Sequence, residues 1–395
     1  MVKFAADGSL AWQRTWEGPE MFASDEATEV AVAPDGSVYV TGSTQGVAGD
    51  VLLLKFSPVG SLLWQLRWGG AGTERGESVA VGADGSVYLV GGTSSFGTGS
   101  DLVVLKFTHA GTLVWQQTWG PARGDGVAVG PDGNVYVAGG AARPGGGADV
   151  ILLSLAPAGT LLWQRAYSAG QIADARGGLT VAADGSIYVA DGLQEPERQI
   201  VDLDALLVKF ASDGTLVWDR GWGGRSGDEV QGVAVAPDGT VLLGGNTNSF
   251  GAGSDDAFLL RLQPNGRRID AVLFGGAGID HASEVDVAPD GTISLAGNVQ
   301  APPWVFQDGP TRTSRLRERC SRRRRRWSRP RARSLIRAES LTSLPAARRM
   351  RARTTPCSSG SSLSARSHFD DNGEAPNHAG ASPFECRRQA IVSGG

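Results

Sequence analysis

Short apolar runs separated by turn residues recur along most of the chain. Residues 27–68 show the pattern most clearly, as four runs of Val, Leu, Tyr, Phe and Trp separated by two turns and a Gly-rich loop. Such runs are typical of four short antiparallel strands joined as a meander. The same unit returns at intervals of about 50 residues, and a four-stranded unit with that period predicts a β-propeller blade.

Five complete units are predicted, and the chain ends supply two halves of a sixth. The complete units span about 27–68, 76–119, 125–167, 177–222 and 230–274. Residues 1–16 provide only the third and fourth strands of a unit, whereas residues 282–298 provide only the first and second. We therefore predict an all-β, six-bladed propeller over residues 1–300, in which the two chain ends pair to complete the sixth blade and leave no open sheet edge.

Two glycine-containing turns recur in the units. The first is an Asp-Gly turn, in which glycine supplies a positive φ without a steric penalty. Its glycines are Gly36, Gly85, Gly133, Gly185, Gly239 and Gly291. The second turn keeps only its glycine constant, so the backbone angle matters more there than any side chain. Its glycines are Gly8, Gly60, Gly111, Gly159, Gly214 and Gly266.

The strands of a unit differ in bulk. The first reads Val-Ala-Val or close to it, and the third, as in residues 50–56, is apolar on both faces, which predicts that each blade is covered on both sides. The fourth carries Trp, mostly as pairs four residues apart that share one face of the strand. These residues are Trp12, Trp16, Trp64, Trp68, Trp115, Trp119, Trp163, Trp218 and Trp222.

This difference in bulk predicts wedge-shaped blades, with small first strands at the axis and large indoles at the rim. Replacing one rim indole, as in Trp64→Ala, is expected to cost about 3–5 kcal/mol, the usual range for a buried aromatic side chain. The cost should be local because the stability of repeat proteins resides in units and their nearest-neighbour interfaces.

The formal net charge of −4 hides two opposite regions. Residues 311–395 contain 20 Arg, no Lys and 6 acidic residues, which leaves 17 basic and 35 acidic residues for 1–310. The repeat region thus carries a charge of about −18 and should repel nucleic acid, whose phosphates require clustered Lys and Arg. All three Cys lie in the tail, so cysteine usage does not identify a redox compartment.

Residues 301–395 do not follow the repeat. One interpretation of the Arg-rich run at 322–326 is an RNA-binding arm that orders on its partner. The other, which we favour, is translation in a shifted reading frame, because Lys and Tyr disappear abruptly midway through a unit. Either interpretation predicts a disordered tail, with a short helix near 333–353.

Recurring acidic residues are the only candidates for a repeated site. Asp50, Asp101, Asp149, Asp204 and Asp256 each open a third strand. A ring of carboxylates could bind Ca²⁺, which requires several oxygen ligands together. The alternative is a structural role, in which each Asp accepts hydrogen bonds from backbone N–H groups at the loop–strand junction. One acid per blade places neighbours too far apart to share an ion, which favours the structural role.

A second acidic set precedes or opens the first strands and is expected to line one channel mouth as solvated charge. Its members are Glu29, Glu77, Asp228, Glu229 and Glu284. The repeats contain only two His, His109 and His281, and neither recurs at the equivalent position. No serine-hydrolase elbow, zinc-protease motif, phosphate loop or EF-hand pattern occurs. We therefore predict no catalytic residue and no cofactor.

Several of these motifs resemble the bacterial SBBP (β-propeller) repeats. The resemblance rests on residues 30–42 (VAVAPDGSVYVTG), 68–80 (WGGAGTERGESVA) and 93–97 (TSSFG), and it covers about residues 1–298. It implies a propeller in an exported or cell-surface protein, often beside adhesion-type modules, with no established activity. No signal peptide is recognisable at the N-terminus and no apolar run reaches 18 residues, so no membrane span is expected.

A weaker resemblance connects residues 55–64 (KFSPVGSLLW) with quinoprotein-type repeats. The units here are longer, and the repeats have no Cys for the vicinal disulfide of the related alcohol dehydrogenases. The leading hypothesis is a monomeric, non-enzymatic scaffold that binds a protein or carbohydrate at its loop tips. The alternatives are a quinoprotein-like or lyase-type enzyme with its site at the channel mouth, and a gene fragment without a selected function. An enzyme predicts a non-repeating polar cluster at the axis, and a scaffold predicts nearly equivalent blades.

Overall fold

The computed structural model describes residues 1–5, 8–18, 25–44, 49–143, 147–168, 177–194, 203–251, 254–299 and 335–338. Strands and turns account for these residues, and no helix occurs within the described ranges. The strands in chain order are β1 Val2–Phe4, β2 Leu10–Gln13, β3 Glu26–Val32, β4 Val38–Ser43, β5 Val51–Phe56, β6 Leu62–Trp68, β7 Glu74–Val81, β8 Val87–Thr93, β9 Asp101–Phe107, β10 Leu113–Trp119, β11 Ala122–Val129, β12 Val135–Ala142, β13 Ala148–Leu155, β14 Leu161–Tyr167, β15 Leu179–Val181, β16 Ile187–Gln194, β17 Leu203–Phe210, β18 Leu216–Trp222, β19 Asp228–Val235, β20 Val241–Thr247, β21 Asp256–Leu262, β22 Arg268–Phe274, β23 Asp280–Val287, β24 Ile293–Val299 and β25 Leu335–Ala338.

The chain folds as an all-β propeller, which confirms the predicted fold class. Five four-stranded sheets follow one another, namely β3–β6, β7–β10, β11–β14, β15–β18 and β19–β22. In each sheet, consecutive strands pair antiparallel in sequence order. The described residues therefore contain five complete blades, and the predicted total of six stays a prediction.

Both recurring turns place glycine in the left-handed region. The glycines of the Asp-Gly turn have φ between +77° and +84°, and those of the second turn between +74° and +87°. In the first turn, Ala33 N–H donates to Ser37 O (2.8 Å) and Gly36 N–H to Ala33 O (2.9 Å). The Asp35 carboxylate accepts from Ser37 N–H at 2.8 Å, which fixes the turn in the way that Asp side chains commonly do.

The hydrophobic core lies between adjacent blades. The first strand of one blade packs against the second and third strands of the blade before it, as β7 does against β4 and β5. Every residue of β5 is buried, since the next blade covers one face of this middle strand and the β1–β2 hairpin covers the other. The indoles of the fourth strands are half-buried, apart from Trp119, which is 3% exposed. Trp64→Ala should therefore lie at the lower end of the range given above, about 3 kcal/mol.

Polar contacts join the outer strands of three sheets to the blade that follows. In each of the three, a Lys ammonium and an indole N–H both donate to one carbonyl oxygen in the second turn of that blade, at 2.9–3.2 Å. The sets are Lys3 and Trp12 with Pro58 O, Lys106 and Trp115 with Pro157 O, and Lys209 and Trp218 with Pro264 O. These bonds tie blades together through residues about one unit apart in the chain.

The chain ends do not pair in the predicted way. β1 and β2 form a separate two-stranded sheet, and Met1, Trp12 and Trp16 pack on the first complete blade. β24 pairs with β25 rather than with β1. We expected a short helix near 333–353; within that segment the structure describes only residues 335–338, which form β25 and not part of a helix. The remainder of 301–395 lies outside the described residues, as do the predictions of disorder and frameshift for it.

Candidate functional site

Six first strands surround one central cavity of about 400 Å³. Its lining residues belong to β3, β7, β11, β15, β19 and β23 or to the residues just before β15. None of the rim tryptophans in the described ranges contributes to this lining. The smallest strands of the repeat therefore surround a channel, and the indoles lie at the opposite edge of each blade.

A β-bulge in five of the six first strands shapes the channel wall. In each, the register shifts because the first strand has one extra residue relative to the second strand. A bulge bends its strand and re-aims the extra side chain. All five bulged residues are polar and line the channel, and they are Thr28, Glu77, Asp125, Gln231 and Ser283. The channel surface thus depends on an irregularity that recurs in most blades.

Acidic side chains dominate the channel. Five carboxylates line it against one guanidinium, Arg123; they belong to Glu26, Glu29, Glu77, Asp125 and Glu284. The Arg123 Nη2 atom lies 2.5 Å from Asp125 Oδ1, and the Asp125 side chain is only 3% exposed. This ion pair compensates one acid. The other four carboxylates give the cavity an excess of negative charge.

Glu29 and Glu284 interact although they lie on the first and the last of the six inner strands. Glu29 Oε2 accepts from Val79 N–H at 2.7 Å. Burial raises the pKa of Glu29, and hydrogen bonds from Ser78 and Val79 oppose that rise. Glu284 is exposed in the channel, but the protein around it partly desolvates its carboxylate and raises its pKa to about 8, with a further contribution from the Glu29 carboxylate.

Two carboxylates with raised pKa values at one place can act in two ways. At neutral pH they can retain a proton, because two neighbouring negative charges oppose each other's ionisation. They can instead accept a cationic group, whose positive charge would favour the ionised forms. The cavity is therefore suited to a proton or to a positively charged ligand.

Only part of the acidic set predicted for the channel lies there. Glu29, Glu77 and Glu284 line the cavity, whereas Asp228 is fully buried between blades and Glu229 does not contribute to the lining. Glu29 is also half-buried and hydrogen-bonded rather than simply solvated. Sequence reasoning missed the bulges, although every bulged residue is the polar residue two positions before the Val of the first strand.

Asp228 belongs to a recurring buried turn between blades. Its carboxylate accepts from Gly224 N–H and Ser249 Oγ, both at 2.7 Å, and from Thr247 Oγ1. The corresponding acids at the start of other blades accept equivalent bonds, from Gly18 N–H to Asp25, from Gly70 N–H to Glu74 and from Gly276 N–H to Asp280, at 2.7–2.9 Å. Each such acid holds the turn that leads into its own blade.

The third-strand acids reach the same turns. A Cβ placed on Gly223 would lie 2.3 Å from Asp204 Oδ1 and 2.8 Å from Asp228 Oδ2, so the two carboxylates flank one glycine. Asp50 with Glu74 and Asp256 with Asp280 flank Gly69 and Gly275 in the same way. The expectation of one isolated acid per blade is therefore wrong, because the next blade supplies a second.

Two members of the third-strand set have other surroundings. Asp101 is buried and accepts from Thr98 N–H at 2.7 Å, but Ala122 stands where other blades carry the second acid. Asp149 lies 3.2 Å from Arg143 Nε and 2.5 Å from Ser168 Oγ. Within the part of the chain that the structure describes, no group of three or more His, Cys, Asp or Glu residues is arranged to hold a metal ion.

Comparisons with known proteins support the fold alone. Residues 236–268 match the model of a β-propeller domain of unknown function, DUF5122. That match is short, and the resemblance to SBBP repeats stays a prediction. No curated protein matches the chain. Within the described residues, no helix has the length and apolar character needed to cross a membrane.

Solved structures similar to this chain share little sequence with it. A protein of unknown function from Dyadobacter fermentans is 13% identical, with a TM-score of 0.48, over 71% of this chain and 92% of that one. The periplasmic gluconolactonase of Pseudomonas aeruginosa is 14% identical, with a TM-score of 0.45, over 70% and 76%. PorZ, a surface component of the type-IX secretion system of Porphyromonas gingivalis, is 14% identical, with a TM-score of 0.46, over 75% and 42%.

Proposed function

We propose that this propeller is a non-enzymatic scaffold that acts outside the cytoplasm and binds a positively charged group of its ligand at the channel mouth. The extracellular location rests on the resemblance to SBBP repeats. The binding site rests on the channel itself. Both parts concern recognition on a rigid frame, and neither requires bond-breaking chemistry.

One observation carries the proposal. The complete blades repeat the same turns and core strands, but the side chains facing the channel differ from blade to blade. Equivalent bulge positions hold Thr28, Glu77, Asp125, Gln231 and Ser283, and only two of these are acidic. A repeated frame with a non-repeated wall is what recognition of an asymmetric ligand requires. The excess of carboxylates selects a cationic group.

Calorimetric titration with spermidine, a flexible polyamine, tests the proposal. We expect wild-type protein to bind spermidine at low ionic strength and to lose affinity as salt screens the carboxylates. The double variant Glu29→Gln/Glu284→Gln should bind about tenfold more weakly, which corresponds to about 1.4 kcal/mol. Glu17→Gln removes an exposed carboxylate that does not line the cavity and should leave the affinity unchanged. Equal affinities for wild type and the double variant would contradict the proposal.

A second candidate is an enzyme with its site in the same channel. The observation favouring it is the Glu29–Glu284 pair, because a carboxylic acid with a pKa near neutrality can act as a general acid. The two candidates differ in what Glu284→Gln does to a bound ligand. In an enzyme the variant would retain a ligand that wild type converts, and mass spectrometry of ligand recovered from both proteins would show the difference.

A further inference from the structure

The outer edge of β24 is occupied by a strand from far along the chain. β25 pairs with it antiparallel, with Ser294 opposite Arg337 and Leu295 opposite Ile336. In the complete blades the third strand directly follows the second and fills this position. Here 35 residues separate β24 from β25, and β1, the expected third strand, pairs within the described residues only with β2.

β25 lies in the register of a third strand. In the first complete blade, Tyr39 is opposite Lys55 and Val40 is opposite Leu54. Ser294 and Leu295 hold the positions of Tyr39 and Val40, since Ile293 follows its turn as Val38 does. Arg337 therefore aligns with Lys55. A basic residue also stands at this register position in three further blades, as Lys106, Lys209 and Arg261.

β1 has the same pattern. Lys3 is opposite Trp12 and Phe4 opposite Leu10, as Lys55 is opposite Trp64 and Phe56 opposite Leu62. The segment Met1-Val-Lys-Phe4 and the segment Leu335-Ile-Arg-Ala338 thus correspond residue by residue, as apolar, apolar, basic, apolar. Either segment fits one and the same register position beside β24.

Exposed side chains on the first complete blade show that the ring is not fully closed beside β24. Val30 and Val32 of β3 are 54% and 66% exposed, whereas Val79, the equivalent of Val30 in the next blade, is 3% exposed because the preceding blade covers it. The β1–β2 hairpin already packs on the first complete blade through Met1, Trp12 and Trp16. What is missing at this interface is the hydrogen-bonded continuation from β24 to β1.

We propose that the edge of β24 is an exchangeable strand-acceptor site, for which β1 and β25 of the same chain compete in the same register. When β1 occupies it, the two chain ends form one four-stranded blade and the ring closes. When β25 occupies it, β1 keeps a free edge and the ring stays open between β24 and β1. The site takes extended segments of the pattern apolar, apolar, basic, apolar by strand addition.

Disulfide trapping in the full-length chain tests the competition. Cys320, Cys357 and Cys386 are first replaced by Ser. Ser294→Cys is then combined with Lys3→Cys to report β1 in the site, or with Arg337→Cys to report β25. Directly opposite residues on paired strands lie about 4.5–5.5 Å apart between Cα atoms, within the range that a disulfide spans. Both cross-links should form within single chains, and mass spectrometry identifies each of them.

Proline variants should shift the balance, because proline cannot donate to the ladder. Ile336→Pro should raise the 294–3 cross-link several-fold, and Val2→Pro should raise the 294–337 cross-link. Ala347→Pro, outside β25, should change neither. The proposal is overturned if only one cross-link forms, if neither forms, if the links join separate chains, or if the proline variants leave both yields unchanged.

Discussion

At the residue scale, the glycines of the second turn meet two structural requirements. Their backbone adopts positive φ, and their missing side chain leaves room for the indole of the preceding blade. A Cβ on Gly214, at φ +78°, would lie 2.9 Å from the ring of Trp163. Gly133, at φ +77°, has the same backbone but nothing within 4 Å of such a Cβ. Comparing substitutions at the two positions therefore distinguishes the cost of backbone strain from the cost of side-chain overpacking.

Alanine at these two glycines gives the first prediction. Gly133→Ala should cost about 1–2 kcal/mol of unfolding free energy, the penalty for a left-handed L-residue. Gly214→Ala should cost about 1–3 kcal/mol more, because the added methyl group overpacks against Trp163. Denaturant unfolding of both variants measures the difference. Similar losses would show that the indole does not pack closely on this turn.

The pH dependence of Glu284 gives the second prediction. Its pKa in the folded state, about 8, lies above the ordinary value of 4.5. The folded protein therefore holds this proton more tightly than the unfolded chain, and this contribution to stability is complete below pH 4.5 and lost as pH rises to about 8. The variant Glu284→Gln should not show this decline. Its unfolding free energy relative to that of wild type should therefore increase between pH 4.5 and about 8.

Glu229→Gln is the matched control for this experiment. It removes an exposed carboxylate from the neighbouring first strand, β19, that neither lines the cavity nor contributes to the raised pKa of Glu284, and it should not reproduce the trend. Unfolding free energies at several pH values between 4 and 9 provide the comparison. A wild-type/Glu284→Gln difference that is constant with pH would show that the carboxylate titrates normally.

Residue-level prediction from sequence succeeded where one residue determines its own conformation. The turn glycines are recognisable because positive φ is a local property. The Trp12 indole, in contrast, donates to the carbonyl of Pro58, which lies 46 positions further along the chain. No local pattern reveals such a partner, and only the stacking of blades brings the two together.

At the scale of the elements, the buried acids hold the turns between blades. Asp228 is fully buried and accepts three hydrogen bonds from the turn and the neighbouring loop. Asp228→Ala should destabilise the protein by about 3 kcal/mol, because it leaves buried donors without partners. Glu229→Ala, at the adjacent exposed position, should change stability by less than about 0.5 kcal/mol. Denaturation midpoints test this pair, and equal effects would contradict the structural role of Asp228.

The bulges show why prediction of the strands from sequence did not identify the residues of the channel site. The pattern Val-Ala-Val marks the first strand, but an extra residue before it does not disturb the apolar repeat. Thr28, Asp125, Gln231 and Ser283 therefore looked like ordinary strand-entry residues. Their position on the channel wall follows from pairing between strands, which sequence periodicity does not report.

At the scale of the whole molecule, the difference in bulk between first and fourth strands arranges the blades around one channel. Sequence reasoning reached this arrangement because small and large residues alternate regularly between strands. It did not reach the pairing at the open end, because β1 and β25 both satisfy the pattern that β24 accepts. A local pattern specifies what kind of strand fits an edge, not which of two such strands fills it.

The distance between the first and last inner strands tests the radial arrangement most directly. Spin labels at Glu26 of β3 and Ser283 of β23 are compared with labels at Glu26 and Arg123 of β11, by pulsed electron resonance. In a ring, β3 and β23 are neighbours although they are furthest apart in sequence, so the 26–283 distance should be the shorter. In an open row or solenoid the 26–283 distance would be much the longer, and that result would contradict the account.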